Sequence, residues 1–268
     1  MLQLLWSFFK RDFHTETSYR IAFLFSLTGV FFSVFTFFFV SQLVGQGASP
    51  YLNEYGGDYF SFVIIGLAFS GYFSLGLGGF SQALREAQTT GTLEAMMMTP
   101  TPVSIIVIGS ALWNYAFTTF RVFVYIFLGV VLLGLRLTGA NYLGGLVSLI
   151  LSIIAFASIG IVAASIIMII KRGEPITALL GATANLIGGV YYPVEILPDW
   201  LQFFSKIVPV TYALRAMRLA LLTGASWAEL LPDLLVLTGF TIVLFPLSLI
   251  TFRWAVERAR LDGTLAHY

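Results

Sequence analysis

Cysteine is absent from the 268 residues, which excludes disulfides, thiolate metal sites and cysteine nucleophiles. Histidine occurs twice, as His14 and His267, each in a terminal segment, so neither a histidine metal cluster nor a histidine-dependent triad fits. Charge is scarce as well. Charged residues make up 10% of the chain, against about 25% in a soluble domain. A net charge of +1 with no basic run excludes a nucleic-acid surface. Lysine stands only at positions 10, 171 and 206, none within a GxxxxGK[ST] loop, so the chain lacks that cradle for ATP phosphates.

What fills the sequence is apolar. Hydrophobic residues make up 58% and aromatics 16%, and the mean hydropathy is +0.91. Too little polar surface is left to cover a soluble globule, and too much apolar surface is present for disorder. The chain therefore reads as an all-α integral membrane protein. Its 27 charged residues leave uncharged runs over 21–53, 59–84, 95–120, 137–170, 175–194 and 234–252. A helix needs about 20 apolar residues to cross roughly 30 Å of hydrocarbon. The runs lack the period-two alternation, about 10 residues long, of barrel strands. Six transmembrane helices are expected, near 21–44, 59–81, 103–134, 142–170, 175–192 and 232–252.

With six spans both termini share one side. Nine basic residues fall on that side and four on the other, so both termini are expected to be cytoplasmic. Residues 1–20 are not a cleaved signal, because no short apolar core with a small-residue cleavage site precedes Arg20. Leu2, Leu5, Trp6, Phe9 and Phe13 instead recur at helical spacing, with Gln3, Lys10, Arg11 and His14 mostly off that stripe. This pattern predicts an amphipathic interfacial helix; a plain cytoplasmic extension of the first span is the alternative. No repeat or linker divides the chain, which reads as one domain over 1–268.

Two loops carry information. The first, 85–100, is the longest internal cytoplasmic stretch. Leu93, Met96 and Met97 share a helix face there, and Thr99-Pro100 and Thr101-Pro102 end one helix and start another. A methionine-rich face fits a groove on a partner or dips into lipid. The second, 193–224, is apolar but broken by Pro193, Pro198 and Pro209. It predicts two short re-entrant outer helices, near 198–207 and 210–222, packed on the bundle because broken backbone at membrane depth must be covered.

In these two loops the chain resembles the integral membrane subunit of ABC exporters of the ABC-2 permease family. Glu86, then Gly91-Thr92-Leu93-Glu94, then Thr99-Pro100 is similar to the family's cytoplasmic coupling segment. Gly188-Gly189-Val190-Tyr191-Tyr192-Pro193, Leu197-Pro198-Asp199-Trp200-Leu201, and Pro209-Val210-Thr211-Tyr212-Ala213-Leu214 with Arg218 is similar to its signature before the last span. Arg215 sits where the family varies. The resemblance covers essentially the whole chain. It implies a homodimer, or a heterodimer with a related permease, in a prokaryotic inner membrane, bound to two copies of a separate ATPase subunit that holds the ATP and Mg2+. It also implies that Glu86, Gly91, Thr92, Leu93, Glu94, Met96, Met97 and Pro100 couple the ATPase to the spans. The cargo is left open among drugs, lipids, glycolipids and polysaccharides, with an amphipathic, lipid-like molecule favoured by the apolar interior.

Further residues bear on a translocation path or outer gate: Arg121, Tyr191, Tyr192, Pro193 and Arg218. Arg121 interrupts the third span near mid-membrane. Two readings follow: contact with an anionic headgroup in the path, or a structural pairing or snorkelling arginine. Tyr191 and Tyr192 read as an outer aromatic gate or as an interfacial belt. Gly76, Gly78, Gly79, Gly181, Ala184, Gly188 and Gly189 read as close-packing positions. The phenylalanines of the first span read as lipid- or dimer-facing bulk, or as a stacking track for flat cargo. Two other functions compete. An ATP-independent carrier or channel would show several intramembrane ionisable residues or repeat symmetry, and a membrane transferase would show clustered His, Asp or Glu. The sequence shows neither.

Overall fold

The computed structural model describes residues 2–18, 20–44, 49–89, 103–137, 139–170 and 174–261. They form helices and no strand. The long helices are α1 Leu2–Ser18, α2 Arg20–Val44, α4 Tyr59–Thr89, α5 Val103–Leu133, α6 Tyr142–Ile170, α7 Glu174–Ile187 and α10 Trp227–Leu261. Shorter ones are α3 Ser49–Leu52, α8 Asp199–Ser205 and α9 Pro209–Arg218. Five of these helices are long and apolar enough to cross a membrane, over Phe23–Val44, Tyr59–Phe80, Ala111–Leu133, Tyr142–Ile166 and Trp227–Arg258. The protein is an all-α membrane protein.

The hub is α4. Of its apolar window 72% is buried, against 11% for α2 and 17% each for α5 and α10. Small residues let neighbours reach its backbone. A Cβ on Gly160 of α6 would stand against the Gly76 carbonyl, and one on Gly76 would fall 2.5 Å from the Cβ of Phe156. Phe60, Ile64, Phe69, Tyr72, Phe73 and Leu77 of α4 lie in the same buried cluster as Val122, Phe156 and Met217. Since lipid is as apolar as these side chains, tight packing and interhelical hydrogen bonds hold such a bundle. One such bond joins the Tyr72 hydroxyl to Thr119 Oγ1 at 2.7 Å.

The ends of the helices follow sequence chemistry. Ser226 and Glu229 form a capping pair at the start of α10, the Ser226 N–H donating to Glu229 Oε2 at 2.6 Å. Asp58 accepts the Ser61 N–H at 2.9 Å at the start of α4. Asn141 accepts the Gly144 N–H and donates its side-chain amide to the Ala225 carbonyl, tying the start of α6 to the approach to α10.

Helix bounds depart from expectation in three places. The apolar stretch of α4 matches the expected span, but the helix continues to Thr89, so Arg85 and Glu86 extend it. Helix α10 runs from Trp227 to Leu261 through Pro232 and Pro246, well beyond 232–252. The third difference is where the helix expected over 175–192 ends. Helix α7 has 14 residues, a rise of about 21 Å at 1.5 Å per residue, and it stops at Ile187. The Gly188 N–H closes its last turn on the Ala184 carbonyl at 2.7 Å. Gly189 then takes a left-handed φ of +79°, a conformation glycine reaches without steric cost.

Helix α1 packs against α5. Phe8 lies over Gly109, where a Cβ would come within 2.7 Å of its ring, and Phe9 and Phe13 meet Trp113 edge-on at 5.5 and 5.3 Å. Gln3, Lys10, Arg11 and His14 are exposed as the stripe predicts. Part of the apolar stripe is thus used on a neighbouring helix, while Trp6 is left 64% exposed.

Candidate functional site

The loop between α7 and α10 folds into two short helices close to where the prolines place them. Pro209 occupies the first turn of α9, a position where its missing N–H costs nothing. Side chains then close the loop on itself. Buried Ser205 donates to the Ile187 carbonyl at 2.6 Å, pinning α8 under the end of α7. Thr211 donates to the Ser205 carbonyl at 2.8 Å and Tyr212 to the Lys206 carbonyl at 2.9 Å. Past α9 the chain widens into a π-helical turn, Leu219–Thr223, closed by Gly224 at φ +66°.

Arg218, at the end of α9, is the anchor of this layer. It is 3% exposed. Its Nε donates to the Phe62 carbonyl at 3.1 Å, Nη1 to Gly189 at 2.8 Å and Nη2 to Val190 at 3.0 Å. Its guanidinium carbon lies 3.4 Å from the centroid of the Phe62 ring. Three carbonyls and an aromatic face replace the water that burial removes. Burial pushes the guanidinium down to about 9, so it remains a cation at neutral pH. The adjacent Tyr55 hydroxyl is pushed up to about 12, first by burial and then by Glu195 and Glu54. Arg218 thereby joins α4, α9 and the glycine turn after α7.

One turn before it, Arg215 makes a second junction that the sequence reading passed over. Its Nη2 and Nε lie 2.7 and 3.2 Å from Glu54 Oε1, and its Nη1 lies 3.6 Å from Asp233 Oδ1. Burial disfavours this charge, but the hydrogen bond to Glu54 and the field of Asp233 outweigh it and hold the guanidinium above its ordinary value. Glu54 lies between α3 and α4 and Asp233 on α10, so the arginine ties the segment between α7 and α10 to the α3–α4 connection and to the last helix.

The candidate gate residues distribute unevenly. Tyr191 is half-buried and stacks on Phe37 of α2 at 5.8 Å, Tyr192 is half-buried, and Pro193 is buried. These three adjoin the carbonyls that Arg218 holds. Arg121 does not belong with them. It lines a cavity of about 500 Å³ between α4 and α5, whose walls include none of Tyr191, Tyr192, Pro193 or Arg218. Nor is it structurally paired: among the described residues its Nε is buried without a hydrogen-bond partner. A charge near mid-membrane costs at least about 2.5–3.5 kcal/mol on insertion scales. The cavity supplies a polar surrounding through Ser70, Ser74, Asn114 and Thr118.

The glycines also divide. Gly76 and Gly188 are packing positions: a Cβ on Gly188 would stand 2.3 Å from Val210. Gly78 is not, since a Cβ there meets nothing within 4 Å, and Gly78 borders the cavity. Of the coupling residues, Glu86 lies on the last turns of α4. Gly91, Thr92, Leu93, Glu94, Met96, Met97 and Pro100 lie outside the described residues.

The family model described as ABC-2 type transporter matches residues 3–222. The chain belongs to the ABC-2 type transporter family. Its role is therefore that of a multi-pass membrane permease subunit, a kind of subunit that associates with an ABC ATPase. The matched region takes in α1 through the π-helical turn and stops before α10. A comparison with curated protein sequences finds no match.

Proposed function

We propose that this ABC-2 permease forms the translocation path of an ATP-driven exporter in a prokaryotic inner membrane. It works as a homodimer, or a heterodimer with a related permease, with two copies of a separate ATPase subunit. The observation that carries the reading is the family match over residues 3–222 in a chain without a phosphate-binding loop of its own. ATP and Mg2+ then belong to the partner, and this chain contributes only mechanics. Residues 85–100 dock on the ATPase. Helix α4 supports the reading because it reaches this segment at one end and is the most buried helix at the other, so a push on the segment moves the hub. The tie from Phe62 of α4 through Arg218 to Gly189 and Val190 carries that movement to the outer turn bearing Tyr191, Tyr192 and Pro193. Both termini face the cytoplasm. The cargo is an amphipathic molecule: a lipid, a glycolipid, a drug or a lipid-linked glycan.

Co-expression with candidate ABC ATPase subunits of the same organism, affinity capture through this chain and reconstitution into liposomes test the proposal. Capture of the ATPase and ATP-dependent movement of an amphiphile are expected. Active transport by this chain alone, with no nucleotide present, would overturn it.

A further inference from the structure

The cavity between α4 and α5 has a feature that packing does not explain. Arg121 lies ten residues from one end of the apolar window Ala111–Leu133 and twelve from the other, about 15 and 18 Å at 1.5 Å per residue. The outer arginines are fully engaged, Arg218 by three carbonyls and Arg215 by two carboxylates. Arg121 is given neither: its buried Nε has no partner among the described residues. Glu16 of α1 also borders the cavity, yet no ion pair within 4.0 Å joins the two among the described residues. A forked donor held in a membrane interior without an acid beside it is worth most to an oxyanion, which it grips through charge-assisted hydrogen bonds.

The space fits such a guest. About 500 Å³ is open, the scale of a small-molecule site. Thr118 and Ser74 offer hydroxyls, while Leu67, Leu75 and Phe117 offer apolar walls. The space is kept clear by Gly78, where an added Cβ would meet nothing. We propose that this cavity binds the oxyanion headgroup, phosphate or carboxylate, of an amphiphile, with Arg121 as its donor and the first part of the apolar chain along Leu67, Leu75 and Phe117. Binding stands by itself; only the further step, that the guest is the exported cargo, rests on the export reading above.

The test uses the full chain in phosphatidylcholine nanodiscs and a pyrene-labelled phosphatidic acid as probe. Competitors are dodecyl phosphate, a diacylglycerol with the same chains, and inorganic phosphate. Dodecyl phosphate is expected to displace the probe, diacylglycerol to do so at least about tenfold more weakly, the scale of one charge-assisted hydrogen bond, and inorganic phosphate not at all. Arg121→Gln should lose at least about tenfold in affinity for the probe and erase the preference over diacylglycerol, and Arg121→Lys, which keeps the charge without the fork, should restore part of both. Glu16→Gln removes an opposing charge and should tighten binding. Gly78→Leu fills the space and should weaken probe and diacylglycerol alike. Unchanged binding by Arg121→Gln overturns the proposal, as does inorganic phosphate competing as well as dodecyl phosphate, which would mark a site for soluble anions. If Arg121→Gln does not insert, unchanged affinity in both Glu16→Gln and Gly78→Leu overturns it. With the ATPase bound, ATP-driven release of the probe identifies cargo and retention identifies a resident lipid; both support the headgroup site. Failure to find any ATPase partner would remove the export reading and leave the binding result intact.

Discussion

The guanidinium of Arg218 occupies the space that Gly66 leaves empty. A Cβ on Gly66 would stand 2.5 Å from Arg218 Nη2 and 2.3 Å from the Val190 carbonyl oxygen, the same pair joined by a 3.0 Å hydrogen bond. The absence of a side chain at one position on α4 is thus what lets α9 and the turn after α7 approach the hub together. The arginine then fixes that approach through hydrogen bonds to carbonyls rather than carboxylates, with Glu195 acting on it only through its field.

Gly66→Ala is expected to destabilise the bundle. Overpacking costs about 1–3 kcal/mol, and here one obstacle is backbone, which cannot swing away. Thermal unfolding of the purified protein, followed by tryptophan fluorescence, checks this. A double mutant with Arg218→Met should depart clearly from additivity, because both substitutions act on one contact.

Arg218→Met alone should be worse. The Gly189 and Val190 carbonyls lose their donor while the Phe62 carbonyl keeps its helical one, at about 1–3 kcal/mol for each group left unsatisfied, so a loss on the order of 3 kcal/mol or more is expected. Arg218→Lys should fall between methionine and the parent, since an ammonium keeps the charge without the planar fork. Equal melting of all three proteins would show that the carbonyls find other donors.

The two acids at Arg215 should behave differently. The side chains of Arg215 and Glu54 are each more than 40% exposed, and exposed pairs contribute about 0–1 kcal/mol, so Glu54→Gln should cost less than about 1 kcal/mol. Asp233 has a side chain only 3% exposed. Arg215→Met leaves that buried carboxylate alone and should cost about 2–3 kcal/mol, below the 3–5 of a fully buried pair because the arginine is half in solvent. Adding Asp233→Asn to Arg215→Met should recover part of the loss; no recovery would show that Asp233 does not feel Arg215.

Coupling is tested at Met97. Leu93, Met96 and Met97 are proposed to fill an apolar groove on the ATPase, with Glu86 and Glu94 setting orientation at its rim. A few buried anchors dominate such an interface. Met97→Asp places an unpaired charge there and should reduce ATPase capture at least about tenfold while the protein still inserts and melts as the parent does. Normal capture and transport by Met97→Asp would move coupling elsewhere, to α1 or to Lys171-Arg172.

Much of the helical layout is legible in the sequence. The first four expected spans agree in their apolar stretches with α2, α4, α5 and α6, because a charge costs enough in hydrocarbon to be kept out of a span. Pro209 marked the start of α9 for an equally local reason. The helix expected over 175–192 ends at Ile187, because an uncharged run shows what lipid tolerates and not where a helix stops. Gly188-Gly189 were the available signal, and they read as packing residues because their sequence context is apolar.

Arg218 stood out only through resemblance, and Glu54 and Asp233 through nothing at all. Glu54 lies 161 residues from the arginine it holds, and no periodicity connects them. Arg121 was visible as an interruption, but whether it was paired depended on which helix faced it. Composition and charge spacing determined that this chain is a helical membrane protein and where most of its long helices lie, because transfer of each residue into lipid is a local cost. Which polar groups meet, which glycine gives way to an arginine and which leaves a cavity open were decided by the packing of α4 against its neighbours, because hydrogen bonds and close contacts depend on distances between residues far apart in the chain.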